Sequence, residues 1–446
     1  MSSTLAPPTT VATDEMNALR AEVRAFLAEE VAAGRLVPWV DTWLTRWDED
    51  FTRRLAERGW VGMTIPTEFG GRGRTHLERF VVTEELLSVG APVAAQWVAD
   101  RQIAPSLLRY GTEEQKHQYL PRIAAGECCF GIGMSEPDSG SDLASVRTKG
   151  VQVDGGWRIT GTKVWTSGAQ HAEAFIALCR TEPLDISYRH AGLSQFIVDL
   201  RSEGVTVRPI VSLSGDHHFN EVVLEDVFVA DSMVFGALGN GWEQVNSELA
   251  FERSGPERFL SSFRLFAAEI GAISTGALPE RSDLGRTVAR MAALHNLSQN
   301  IAGALQRGEP ADIPAALVKL LGTATEGDIV DAVSTRFGDE LAPGFVGTNG
   351  TAAVARSTAC CARASTSARA SRSAAAPTRF CAASSRGDWG CADDHHHHDR
   401  RPLSRRGPAG DALRRRLRFL RPGRQARRRR RVVDTAGGRR RQAHRA

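Results

Sequence analysis

The 446-residue sequence has no run of eighteen apolar residues, which excludes a membrane-spanning helix built on hydrophobic length. Its opening, MSSTLAPPTTVATDEM, lacks both the basic start and the apolar stretch of a secretory signal, and reads as a flexible leader over residues 1–13. Cysteine is scarce. Of seven, only Cys128, Cys129 and Cys179 precede residue 360, and their spacing matches no zinc motif. No metal site is expected, and unpaired thiols suit the reducing cytoplasm. Lysine and glutamate are missing altogether from residues 361–446, where 24 arginines face six aspartates for a net charge of +18. Residues 1–360 are left with 32 basic and 46 acidic groups, a net of −14. The overall +4 therefore conceals an acidic body and an arginine-rich tail.

Hydrophobic period divides the body. Apolar residues recur every three or four positions in MNALRAEVRAFLAEEVAAG, FTRRLAERGWVG and LERFVVTEELLSVGAPVAAQWVADRQIAPSLLRYG, which predicts a helical domain over 14–125. GTEEQKHQYLPRIAAGE carries a threonine cap and acids at its start and a glycine at its end. Over 126–236 the period becomes two. VQVDGGWRITGTKVWTSGA reads as a hairpin with a Gly-Gly turn, and AFIALCR, LSQFIVDL, VTVRPIV and NEVVLEDVFVA as short strands of a β-domain or barrel. The helical period returns over 237–344. The fold class is α+β: an N-terminal helical domain, a middle β-domain and an incomplete C-terminal helical bundle.

Where helical sequence gives way to strands stands GIGMSEPDSGSDLAS (131–145), too polar and glycine-rich for a helix interior or central strand. Its small residues let backbone N–H groups and hydroxyls approach a flat polar ligand, and a crevice between domains is a usual place for a cofactor. Composition alone is equally that of a surface loop.

The longer motif GMSEPDSGSDLAS, followed by KVWTS at 163–167, resembles the signature of the acyl-CoA dehydrogenase family of flavoenzymes. IPTEFGGRG, LLRYGTEEQKHQYLPRIAAGE and GTKVWTSGAQHAEAFIAL follow the same family order, so the resemblance covers about residues 18–340. It implies FAD as cofactor and an acyl-CoA substrate in lipid metabolism. It also implies an electron-transfer flavoprotein or similar acceptor, and a homo- or hetero-oligomer of family subunits. By the same resemblance Met134 and Ser135 meet the pyrimidine side of the flavin, Trp165 packs on it, and Ser167 hydrogen-bonds near N5. Ser141 and Arg253 would serve the CoA thioester and its phosphate arm. Ile132 stands where the family often has an aromatic, so one stacking contact is missing.

Removing a proton α to a thioester while hydride leaves the β carbon requires a positioned base. LAFERSG at 249–255 matches one of the family's two arrangements, with Glu252 as the base. Taken by itself, Glu252 with Arg253 is equally a solvated helix pair. The family's Arg-x-x-Phe-Gly element, which holds the FAD pyrophosphate of a neighbouring subunit, is absent from LGRTVARMAALHNL; Arg286 and Arg290 are its nearest substitutes.

Past residue 345 the expected final helices do not follow. Alanine, arginine and serine without lysine or glutamate is what a GC-rich gene yields out of frame. Codon choices exist under which Ala370–Ala392, read from each third base, encodes FTLRGGTDEILRGIIARGLGLR, which resembles the family's ending. That frame carries Gly, not Glu, at the loop position of the alternative base, in agreement with Glu252. Residues 345–446 are thus expected to be a disordered, frame-shifted tail, with the frame lost between about Phe345 and Ala352. Two other readings stand beside the enzyme: a non-catalytic partner subunit, and nucleic-acid binding through the arginine run. No base-reading fold accompanies that run, so no specific nucleic acid is expected.

Overall fold

The computed structural model describes residues 6–213, 215–253 and 255–337, and the side chains among these except 249–253 and 337. The expected frame-shifted tail lies outside the described residues. The chain opens with α1 (Asp14–Ala32), the short α2 (Thr42–Thr45) and α3 (Glu49–Glu57). Two later helices, α4 (His76–Val89) and α7 (Glu113–Ala124), each start at a capping box, Thr75 with Glu78 and Thr112 with Gln115. In both, the threonine hydroxyl accepts the N–H three residues on, while that residue's side chain accepts the threonine N–H. Between them α5 (Ala94–Val98) passes through a π turn at Ala99–Ile103 into α6 (Ala104–Tyr110).

The strands are β1 (Phe130–Gly133), β2 (Lys149–Val153), β3 (Gly156–Ser167), β4 (Ala174–Arg180), β5 (Leu193–Asp199), β6 (Val205–Val211), β7 (His217–Ala230) and β8 (Val234–Phe235). They form one sheet in the order β6-β7-β3-β2-β4-β5-β8, with β1 pairing parallel to β4. The β2–β3 hairpin turns on Asp154–Gly155, Gly155 at φ +72°, so the expected Gly-Gly turn starts one residue earlier and Gly156 already pairs with Val153. AFIALCR and LSQFIVD are buried along nearly their whole length because both faces of β4 and β5 are covered. Ala174, Ile176 and Ile197 pack under α6 and α7, whereas Phe175, Ala177, Phe196 and Val198 fill the core of the β-domain itself.

After the sheet come α8 (Gly241–Arg253), α9 (Glu257–Leu260), α10 (Phe263–Ser274), α11 (Leu284–Gln306) and α12 (Asp312–Phe337). The helices before and after the sheet share one hydrophobic core: Val23, Leu27, Phe51, Val81 and Leu86 meet Phe259, Leu294, Ile301, Val318 and Ile329. Within the segment expected to be a flexible leader, Thr10 donates its N–H to Asn300 and its carbonyl accepts from Gln299, both on α11. Among the described residues no helix is long and apolar enough to cross a membrane.

Candidate functional site

The polar loop leaves the sheet at the end of β1, where close packing dictates glycine. A Cβ on Gly133 would meet the Phe175 ring at 2.3 Å. Beyond it a buried charge pair ties the loop to β3. Lys163 has no exposed surface, and its Nζ donates to Glu136 Oε1 at 2.9 Å and to the Met134 carbonyl at 3.1 Å. Glu136 also accepts from the N–H groups of Arg147 and Thr148 and from the Thr148 hydroxyl. Burial opposes ionisation of Glu136, but the Lys163 ammonium and these donors outweigh it and hold the carboxyl below its ordinary range. Burial likewise draws the Lys163 ammonium below the usual lysine value. Next to the pair, the Ser135 carbonyl accepts the Val164 N–H at 2.9 Å.

The ladder between β3 and β7 breaks at this point. Lys163 pairs with Val222 and Thr166 with Asn220, so Val164 and Trp165 together face the single residue Glu221. Such a bulge re-aims a side chain. Trp165 sits in it at φ +62°, an unusual conformation for a bulky residue, with 52% of its surface exposed and its ring edge-on to Phe219. Ser167 ends the strand two residues later, and Gly168 at φ +68° turns the chain where a Cβ would strike the Trp47 ring. The Lys163–Met134 and Val164–Ser135 hydrogen bonds thus bring Met134 and Ser135 beside the end of β3 that carries Trp165 and Ser167. Among the described contacts, the hydroxyls of Ser135, Ser141 and Ser167 have no hydrogen-bond partner, and the Thr166 hydroxyl is buried without one. Ser141 is exposed on the loop, whose next residue, Asp142, is ion-paired with Arg189 at 2.6 Å.

Glu252 and Arg253 lie in the last turn of α8; their side chains are outside the described residues. The helix is anchored one turn earlier by Glu248, a buried carboxylate accepting from Gln195 of β5 at 3.0 Å. After its end, Glu257 makes a buried ion pair with Arg101 of the π turn at 2.8 Å. The sequence alone does not single out Glu248 or Glu257, since a single glutamate in a helical pattern gives no sign of its partner. A small cavity of about 40 Å³ lies there, bordered by His76, Arg79, Arg101, Gly255 and Ser298. Burial, with Arg79 close by, pushes the His76 imidazole down to about 4. Of the two arginines expected to replace the missing element, Arg290 is ion-paired with Asp328 of α12. Among the described residues no cluster of three metal-ligating side chains occurs.

Residues 13–127 match the family description of the acyl-CoA dehydrogenase N-terminal domain, and residues 131–227 that of the middle domain. Acyl-CoA dehydrogenase FadE29 of Mycobacterium tuberculosis is 32% identical over 303 residues, 65% of this chain and 77% of that protein. The chain belongs to the acyl-CoA dehydrogenase family. FadE34 of the same organism is 38% identical over 243 residues, 54% of this chain but only 31% of its own length. Against IpdE1, also from that organism, the match spans 63% of the relative. A solved structure described as the Tcur3481-Tcur3483 steroid ACAD superposes with a TM-score of 0.66 at 28% identity, covering 80% of this chain and 93% of that one. Family membership agrees with the helix–sheet–helix order and with the two motifs meeting at the β3 bulge.

Proposed function

We propose that the chain is an FAD-dependent dehydrogenase acting on the α and β carbons of an acyl-CoA thioester. The observation that carries this reading is the bulge at Trp165, a strained, exposed aromatic two residues before Ser167 and next to Val164, whose N–H bonds the Ser135 carbonyl. A flavin ring suits that strand end chemically: one flat aromatic face, and hydroxyls not engaged by protein atoms. In this reading Met134 and Ser135 hold the pyrimidine side, Ser167 bonds near N5 and Trp165 covers the ring. Ser141 and Arg253 take the CoA arm. Glu252 receives the α proton. The flavin, when bound, supplies the acceptor for the β hydride.

An electron-transfer flavoprotein or a similar carrier would then reoxidise the enzyme. The two-part names of the neighbouring structures, Tcur3481-Tcur3483 and the ChsE4-ChsE5 complex, favour an oligomer that includes a second kind of subunit. Free thiols at Cys128, Cys129 and Cys179 fit a cytoplasmic setting.

The test is anaerobic mixing of FAD-loaded protein with a panel of acyl-CoA thioesters, straight, branched and steroid-bearing. It is run on the full chain and on a version with the frame restored after residue 345. Bleaching of the flavin absorbance supports the reading. Protein that stays colourless with added FAD ends it, and FAD uptake without bleaching by any thioester favours the non-catalytic partner subunit.

A further inference from the structure

The polar loop is held near its two ends by two different cations. Its start, with Met134 and Ser135, is fixed through Lys163 and Val164. Its end is fixed by Arg180, the last residue of β4. All three nitrogens of that guanidinium donate to backbone carbonyls. Nε reaches Val146 at 3.2 Å, Nη1 reaches Ala191 at 3.0 Å, and Nη2 reaches Ala144 at 2.8 Å and Arg189 at 3.3 Å. Ala144 and Val146 close the polar loop, whereas Arg189 and Ala191 belong to the connection between β4 and β5. One side chain thus joins two loops. Burial, then the Arg189 guanidinium, weigh against the charge on Arg180, and the Glu136 carboxylate weighs for it. A guanidinium stays protonated in either case.

The β4–β5 connection reaches back to the same region by two further contacts. Its Arg189 is the partner of Asp142, the residue after Ser141. Its His190 ring stacks on Trp242, with centroids 4.0 Å apart and planes 19° from parallel. Trp242 stands in the first turn of α8, the helix that ends in Glu252 and Arg253. Burial, then Arg189, hold the His190 imidazole below its ordinary range against the opposing pull of Asp142, so the ring that stacks is neutral at neutral pH. The Arg189–Asp142 pair is exposed, and such a pair contributes little by itself. What fixes the connection is the set of carbonyls gathered on Arg180.

We infer that Arg180 is a positioning residue for the CoA arm, setting the place of Ser141 through backbone carbonyls without touching the ligand. The inference rests on the reading of Ser141 and Arg253 given above and adds what holds their segments in place. A binding segment ordered in advance gives up less freedom when its ligand arrives. Arginine suits the task because its donors spread over three nitrogens in one rigid plane, whereas lysine offers a single nitrogen. The flavin end of the loop has its own tether in Lys163, so a change at Arg180 acts on the Ser141 end.

CoA and FAD are titrated calorimetrically into the full chain, into Arg180→Gln and into Arg180→Lys, with amide exchange followed in each. In Arg180→Gln, CoA should weaken by about tenfold, the scale of ordering a loop on binding, while FAD holds. Exchange should quicken over residues 141–147 and 186–192 and stay unchanged in β5. Arg180→Lys keeps the charge but not the three-nitrogen fork, so it should recover only part of the CoA affinity. Full recovery by lysine would mean that charge alone acts on the ligand, and overturns the proposal. Equal weakening of FAD and CoA, with faster exchange spreading into β5, would mark a residue needed only for folding and overturns it too, as does CoA affinity unchanged in Arg180→Gln. A parent chain that takes FAD but no CoA instead brings down the assignment of Ser141 and Arg253, and the proposal with it.

Discussion

At Lys163 a full side-chain charge sits with no exposed surface, and its partner Glu136 is 8% exposed. Removing one member of such a pair strands the other, which typically costs about 3–5 kcal/mol. Lys163→Met should therefore destabilise strongly, and adding Glu136→Leu should recover part of the loss, since Thr148 and the Arg147 N–H would still lack their acceptor. Denaturant unfolding of the two variants checks this. His76 offers a pH test. Its folded-state value of about 4 is below the unfolded value of 6.5, so the unfolded chain binds the extra proton between the two. Stability from this site is complete above about pH 6.5 and falls as pH drops toward 4. His76→Gln should flatten that part of the profile in denaturant unfolding measured across pH. The proposed reaction turns on Glu252 as its base. Glu252→Gln should keep FAD but slow thioester-driven bleaching by at least ~100-fold, the scale of a lost general base; stopped-flow reduction measures it.

At the scale of elements, the bulge on β3 trades backbone comfort for the placement of one ring. Glycine adopts φ +62° freely, and Trp165 is half exposed, so Trp165→Gly gives up little burial and relieves strain. Its unfolding free energy should stay within about 1 kcal/mol of the parent, while FAD binding weakens markedly; a flavin titration beside a denaturant melt separates the two. Much of this level was legible in the sequence. Thr75 and Thr112 announce their helices through capping chemistry, and the apolar runs of β4 and β5 announce central strands. The bulge itself was not, because KVWTS alternates like any regular strand and the extra residue exists only in the pairing with β7. The π turn at Ala99–Ile103 was hidden for a similar reason: one added residue per turn barely disturbs an apolar period. The motif residues could be named through family resemblance, whereas the partners that hold them, Glu136 with Lys163 and Glu257 with Arg101, emerge only from three-dimensional packing.

Across the whole molecule, helices separated by the entire β-domain in sequence form one core, and periodicity says which face of a helix is buried but not against what. Ile301 of α11 is fully buried in that core with residues of α1, α3 and α4, while β4 and β5 contribute to cores of their own. The N-terminal segment adds a strap: Thr10 lies across α11 so closely that a Cβ on Gly303 would meet its hydroxyl at 2.3 Å. Ile301→Ala should cost about 2–5 kcal/mol, as removal of a large buried side chain does when its site cannot collapse. Because the core is common property, the loss should spread. Amide exchange should quicken in α1 and α4 as well as in α11, while the amides of β4 and β5 keep their protection. Faster exchange confined to α11 would mean that the two sets of helices are stabilised separately, and that the core joining them contributes little to holding the chain together.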